Sequence, residues 1–212
     1  HDADEFKDVH MIAFHVHGGG VFSMIKKPIV QRSDLRGMKV RAPTRQTTKM
    51  LAALGATPVG MPVPQVPEAL SKGVIHATLL PYEVMPALKV DELTRYHSGP
   101  AASQPMIYTS VFILAMNKAR YDGLPADLKK VIDANSGIGL SAQLGRLFDE
   151  VEVLNKKKTG GIVNVISNEE IEQWKKIAQP VIDGWVEDAD ARGADGKALL
   201  KAARDLVAKY SK

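Results

Sequence analysis

Three short apolar runs, GMKVRAP, ATPVGMP and GVIHATLLP, close on Pro43, Pro62 and Pro81, so the same punctuation recurs every 19 residues. The stretches between them have helical periodicity. In TRQTTKMLAALG, Met50, Leu51 and Leu54 share one face before Gly55; in VPQVPEALSKG, Val66, Ala69 and Leu70 share one before Gly73. The pattern is β-α-β-α-β. Strands joined by so compact a helical connection run parallel, with right-handed crossovers. The spacing therefore predicts an α/β fold built on a parallel or mixed sheet.

In such a sheet the carboxyl ends of the strands share one edge, and open α/β sheets bind ligands there. This places Arg41, Met61 and Leu80 at one crevice, with prolines, which lack an N–H, ending the strands. Arg41 is the informative member, because a guanidinium is always charged and costly to desolvate. Two roles are open from spacing alone. It forms an internal salt bridge with an acid such as Glu68 or Glu83, or its donor fork waits for a ligand carboxylate.

Beyond Pro81 a helical stretch is expected to about Leu93, followed by YHSGPAASQP, whose Gly, Pro and Ser read as a connector between lobes. YTSVFILAMN (108–117) reads as a buried strand, and LPADLKKVIDAN as a helix opening on Pro125 with Leu128, Val131 and Ile132 inward. Leu140, Leu144, Leu147, Phe148, Val151 and Leu154 then keep a helical period over about 33 Å. Such a helix is either a strut across two lobes or simply a long packed helix. IVNVIS reads as a strand, Ser167 to Glu170 as a capping box opening a helix bent at Pro180, and DGKALLKAARDLVAKYSK as a last amphipathic helix. At the other end HMIAFHVHGGG reads as a strand running into a flexible glycine turn, without the preceding β-α units that would complete an α/β lobe.

Composition narrows the function classes. With 212 residues, 45% hydrophobic and 25% charged, the chain can bury a real core. The net charge of +4 comes from dispersed basic residues, and aromatics are only 6%, so no basic stripe interleaved with aromatics points to nucleic acid. No apolar run approaches the roughly 18 residues of a membrane span, and the visible chain is read as soluble. The opening HDADEFKDVH has no signal-peptide pattern, and a start on His1 without Met is compatible with a mature or trimmed form. Cysteine is absent, which removes disulfides, thiol catalysis and cysteine-ligated zinc.

The remaining constellations are weak. His15 and His17 share a strand face, but zinc needs three or four ligands and no other is nearby, so no metal is expected. Gly18-Gly19-Gly20 lacks the context of a phosphate loop. There is no nucleophile elbow and no H-E-x-x-H helix. His76 could act as a general base, but within the apolar run VIHATLL it is more simply a structurally satisfied histidine.

The segment KKPIVQRSDLRGMKVRAPT, followed by LAALGATPVGMP and EALSKGVIHAT, closely resembles the solute-binding (DctP-like) proteins of TRAP transporters, the tripartite ATP-independent periplasmic importers. AMNKARYDGLPADLKKVID belongs to the same resemblance, which covers the chain from about residue 10 to its end. It implies a periplasmic-binding-protein-like two-lobe fold with hinge strands and a long lobe-spanning helix. The expected division is 1–24 and 106–136 in lobe I, 25–105 in lobe II, 137–160 as the spanning helix, and 161–212 as a C-terminal strand and helices packing on the lobes. It also implies a periplasmic receptor, not an enzyme, that needs no cofactor, closes on an organic acid and delivers it to membrane subunits.

Arg41 matches the family's carboxylate-anchoring arginine, and Pro43, Thr44, Met61, Val63, Thr78, Leu80 and Tyr108 are expected to shape the same wall. The sequence departs from the family pattern at Gly20, near the place of a second arginine in many members, at His76 in place of an acid, at Leu80 in place of a ligand-contacting asparagine, and at Val63, near a position often aromatic. These departures make a roomier, more apolar pocket, in which sugar hydroxyls would find few partners. The expected ligand is a monocarboxylate with an apolar or aromatic body, with Tyr82, Tyr108 and Phe112 as packing partners. A small dicarboxylate is the alternative, and an α/β enzyme on an organic acid or a sensor module are rivals of other classes.

Overall fold

Side chains alternate across a strand, so a strand buried on both faces needs apolar residues at both parities. The central strands have them. The computed structural model describes residues 4–210; the first three residues of the opening stretch and the last two of the closing helix segment lie outside the described residues. Its larger sheet has six strands in the order β4-β3-β5-β2-β6-β8: Thr57–Gly60, Lys39–Ala42, Ala77–Leu80, Val21–Met24, Tyr96–Pro100 and Ile162–Ile166. β3 is parallel to β4 and β5, β6 is parallel to β8, and β2 runs against both neighbours, β5 and β6. The expected mixed α/β architecture is present.

One face of this sheet buries Phe22, Met24, Val40, Ala42 and Leu79 against α1 (Arg45–Leu54) and α7 (Asn168–Asp190), including Trp174. The other face buries Val21 and Leu80 against α2 (Val66–Ser71), Tyr82, Met85 and α3 (Val90–Leu93). Caps fix the helix ends. Thr44 and Thr47 exchange side-chain and backbone hydrogen bonds at the start of α1, and Gly55 ends it at φ 99°, a left-handed conformation that suits glycine.

A second, two-stranded sheet pairs β1 (Val9–Val16) with β7 (Val111–Asn117) antiparallel. A register shift between Met11 and Ala13 frees the Ile12 carbonyl, which accepts from Gly137 N–H at 2.7 Å. That bond seats the start of α6 (Ile138–Lys158), and Ser141 Oγ reinforces it by accepting from Phe14 N–H at 3.1 Å. Eighteen residues on, the far half of α6 is tied to the turn after β5: Asn155 donates to the Glu83 carbonyl at 2.9 Å, and Glu152 accepts from Glu83 N–H at 2.8 Å. The long helix therefore bridges the two sheets. Between α6 and β7 lie α4 (Lys118–Asp122) and α5 (Ala126–Ala134); α8 (Gly196–Tyr210) packs on α7.

Several local expectations are corrected. YHSGP is not connector but β6, because His97 and Ser98 are held in the sheet's interior; the link to β7 is residues 101–110. β7 is largely exposed rather than buried, as is the face of α5 bearing Leu128 and Val131. The helical stretch to Leu93 is three short pieces, broken at Pro86 and at Lys89, which adopts φ 55°. Val21–Met24 falls in the 1–24 segment, yet it pairs with β5 and β6 and so belongs with the strands of 25–105.

The glycine segment after β1 is a close-packed crossing rather than a flexible turn. A Cβ on Gly19 would lie 2.0 Å from Met106 Cγ, and one on Gly20 1.9 Å from Tyr108 Cε1. Gly20 N–H bonds the Tyr108 carbonyl at 2.9 Å, and Thr109 Oγ donates to the His17 carbonyl at 2.9 Å. The two chain segments that pass between the sheets thus run side by side. Gly20→Ala is expected to cost about 1–3 kcal/mol in urea unfolding, the range for overpacking a tight contact; an unchanged midpoint contradicts this packing.

Candidate functional site

Arg41 and Thr78 are register partners in β3 and β5, and Arg41 is of opposite parity to Val40 and Ala42. Its side chain therefore leaves the sheet on the α2 face, near the strand's carboxyl end. There it is 3% exposed. Its Nε donates to the Met61 carbonyl at 3.2 Å and its Nη1 to the Leu79 carbonyl at 3.0 Å. The internal salt bridge is not formed. No carboxylate of the described residues lies within ion-pair distance of Arg41; Glu68 pairs instead with Lys72, and Glu83 accepts from Gly18 N–H at 3.2 Å. Burial lowers the arginine's pKa, while the Tyr108 phenol beside it acts in the opposite sense.

Arg41 lies at the wall of a cavity of about 720 Å³ between the two sheets and α6. Of the expected residues, Pro43, Thr44, Val63, Leu80 and Tyr108 line it with Arg41. Met61 and Thr78 do not: Met61 contributes only its carbonyl to Arg41, and Thr78 is fully buried beneath, its hydroxyl without a partner. Phe112 lines the cavity as expected, whereas Tyr82 turns into the core under Lys156. His76 lies elsewhere, at the start of β5, where its Nδ1 accepts from Lys39 N–H at 3.2 Å.

Other lining residues come from elements read only as packing. β1 supplies His15, whose ring stacks on Phe112 and Phe148 with centroids 5.2 and 4.5 Å away. α6 supplies Leu147, Phe148 and Val151. Their helical period was visible, but not that this face borders a cavity. His17 follows β1; its Nδ1 donates to the Gly18 carbonyl and its Nε2 accepts from Ser110 N–H at 3.1 Å. Both ring nitrogens are thus engaged, and desolvation holds its pKa low, so the ring is neutral. Tyr108 donates to the Leu79 carbonyl at 3.3 Å, and its pKa is raised, chiefly by burial. Among the described residues no group of three or more His, Cys, Asp and Glu could hold a metal ion.

Among the described residues Glu83 is the one acid that lines the cavity. Its carboxyl meets that of Glu152 on α6 beside Gly18, where a Cβ would lie 2.7 Å from Glu83 Oε2 and 2.8 Å from Glu152 Cγ. Burial, the hydrogen bond to Glu152 and its negative charge push the Glu83 pKa up to about 8. Burial also raises Glu152, offset by its hydrogen bonds and by Lys156. Two carboxyls held this close disfavour carrying two negative charges at once.

A raised carboxyl pKa favours the neutral form in the folded state. Its stabilisation is full below the ordinary carboxyl range and is lost as pH rises through about 8. Thermal melts from pH 6.5 to 9.5 are expected to show a falling melting temperature, and Glu83→Gln, which cannot ionise, is expected to flatten the fall. An equal slope in both proteins contradicts the raised Glu83 pKa.

The chain is similar to known solute-binding proteins. A solute-binding protein of a TRAP system from Rhodoferax ferrireducens, solved with copurified benzoate, is 48% identical with a TM-score of 0.93 over 98% of this chain and 66% of its own. One from an unidentified marine microbe, specific for aromatic acid ligands and solved with 3-hydroxybenzoate, is 42% identical with a TM-score of 0.92 over 99% of this chain and 66% of its own. The C4-dicarboxylate-binding periplasmic protein DctP of Rhodobacter capsulatus is 29% identical over 94% of this chain and 58% of its own length. The chain thus spans less than two thirds of the length of these relatives. Residues 2–188 match the bacterial extracellular solute-binding proteins of family 7, and the chain belongs to that family, DctP.

Proposed function

We propose that this chain forms the greater part of a periplasmic solute-binding protein of a TRAP-type transporter that captures an aromatic or similarly apolar monocarboxylate, closes on it and hands it to membrane subunits. The observation that carries this reading is the buried guanidinium of Arg41, held by two carbonyls, lacking a counter-ion among the described residues and facing a largely apolar cavity. A carboxylate fits both needs: it supplies the missing charge and accepts paired hydrogen bonds from the fork. Thr44 caps α1 at the same wall, so the positive end of that helix adds to the field. Leu80, Val63, Phe112, Phe148 and Leu147 offer an apolar surface for the body of the ligand.

The relatives with benzoate and 3-hydroxybenzoate support an aromatic acid. A dicarboxylate is disfavoured, since among the described residues Arg41 is the one Arg or Lys lining the cavity and a second buried carboxylate would go unpaired. Binding without turnover is favoured by the match to the solute-binding family, and His76, the base the sequence offered, lies outside the cavity. The side-by-side crossing segments 17–20 and 108–110, with α6 as strut, suit hinge closure between two lobes.

Isothermal titration with benzoate is the direct test. Arg41→Ala is expected to weaken binding by about 100-fold or more, since truncation leaves the ligand's charge buried and unpaired. Arg41→Lys, which keeps charge but not the fork, is expected to fall between the two. Undiminished binding by Arg41→Ala contradicts the reading.

A further inference from the structure

The cavity has a second polar pole that carboxylate capture leaves unused. Glu83 lines it with Glu152 directly behind, and the polar groups nearby are mostly engaged. Thr44 Oγ caps α1, Tyr108 donates to Leu79, and His17 bonds Gly18 and Ser110. We propose that Glu83, backed by Glu152, selects aromatic monocarboxylates that also carry a neutral hydrogen-bond donor, a phenolic hydroxyl or an aromatic amine, and excludes those carrying a second carboxylate. This rests on the reading of Arg41 as the anchor of the ligand's carboxylate.

The chemistry follows from how the two carboxyls satisfy each other. Glu152 accepts from the backbone N–H of Glu83 and faces Lys156, so it is the better seat for the negative charge. Glu83 then directs its own O–H to Glu152 and is left as an acceptor. Its Oε2 takes one long bond, 3.2 Å from Gly18 N–H, and a carboxyl oxygen has a second lone pair. A ligand group meeting it must donate. A carboxylate cannot, and it would also meet the negative charge that the pair already holds. Gly18 is part of the device, because a side chain there would collide with both carboxyls. An unsubstituted ring leaves this pole without a partner, at the cost of one hydrogen bond.

The test is isothermal titration of the full chain with benzoate, the three hydroxybenzoates, the three aminobenzoates and the three benzenedicarboxylates at pH 7. Among the isomers the best hydroxybenzoate is expected to bind about five-fold more tightly than benzoate. The best benzenedicarboxylate is expected to bind about 100-fold more weakly than benzoate. The ratio of benzoate to hydroxybenzoate dissociation constants is expected to fall to about one in Glu83→Ala and to survive in Glu83→Gln, whose amide donates to Glu152 and still presents a carbonyl. If benzoate binds but the hydroxyl brings no advantage, if Glu83→Ala keeps that advantage, or if a dicarboxylate equals benzoate, the inference is overturned while Arg41 capture stands. If no aromatic acid binds, both fall. Should Glu83→Ala not fold, the wild-type series and Glu83→Gln still decide.

Discussion

A guanidinium buried to 3% exposure without a carboxylate partner among the described residues is the constraint around which the rest of this structure is arranged. Hydrogen bonds to the Met61 and Leu79 carbonyls orient Arg41 but neutralise nothing. Its side chain leaves β3 beside the carboxyl ends of three parallel strands, where the sheet opens instead of continuing into packed core. β4, β3 and β5 build that edge, Pro43 and Pro81 leave it at the cavity wall, and α1 starts from it at Thr44. The fold holds a buried charge at that edge, and in the proposed reading an incoming anion completes it.

In the proposed reading the walls determine which anion. Leucine, valine and phenylalanine side chains dominate the lining, so hydroxyl-rich ligands would lose hydration without replacement, while a flat apolar body would not. The proposed selectivity rests on two polar places, the Arg41 fork and the Glu83–Glu152 pair. The first calls for a negative charge and the second for its absence. Such an arrangement discriminates as much by what it leaves unpaired or repelled as by what it attracts. The crossing segments matter to both poles: Gly20 admits Tyr108 beside Arg41, and Gly18 admits the two carboxyls.

Much of this was legible in the sequence because it rests on local chemistry. The 19-residue recurrence gave the parallel strands, Gly55 and Gly73 gave the helix ends at positive φ, and the run ending at Pro43 placed Arg41 at the sheet's carboxyl edge. What failed depends on distant partners. Tyr96–Pro100 looks like connector by composition and becomes a strand because β2 and β8 flank it. Val111–Asn117 looks like core and is largely exposed beside β1. The three glycines after His17 look mobile and are instead small because Met106, Tyr108, Glu83 and Glu152 occupy the space a side chain would take. In the sequence Glu83 reads only as a counter-ion for Arg41. Its meeting with Glu152, 69 residues away, is set by the docking of α6 and leaves no mark in the local pattern.

The central claim is that the ligand's carboxylate completes Arg41. A crystal structure of the chain with benzoate tests it most directly. The account predicts both carboxylate oxygens within hydrogen-bond distance of the Arg41 guanidinium, with the ring among Leu80, Phe112 and Phe148. A carboxylate seated elsewhere, with Arg41 still bound to nothing but carbonyls, would contradict it.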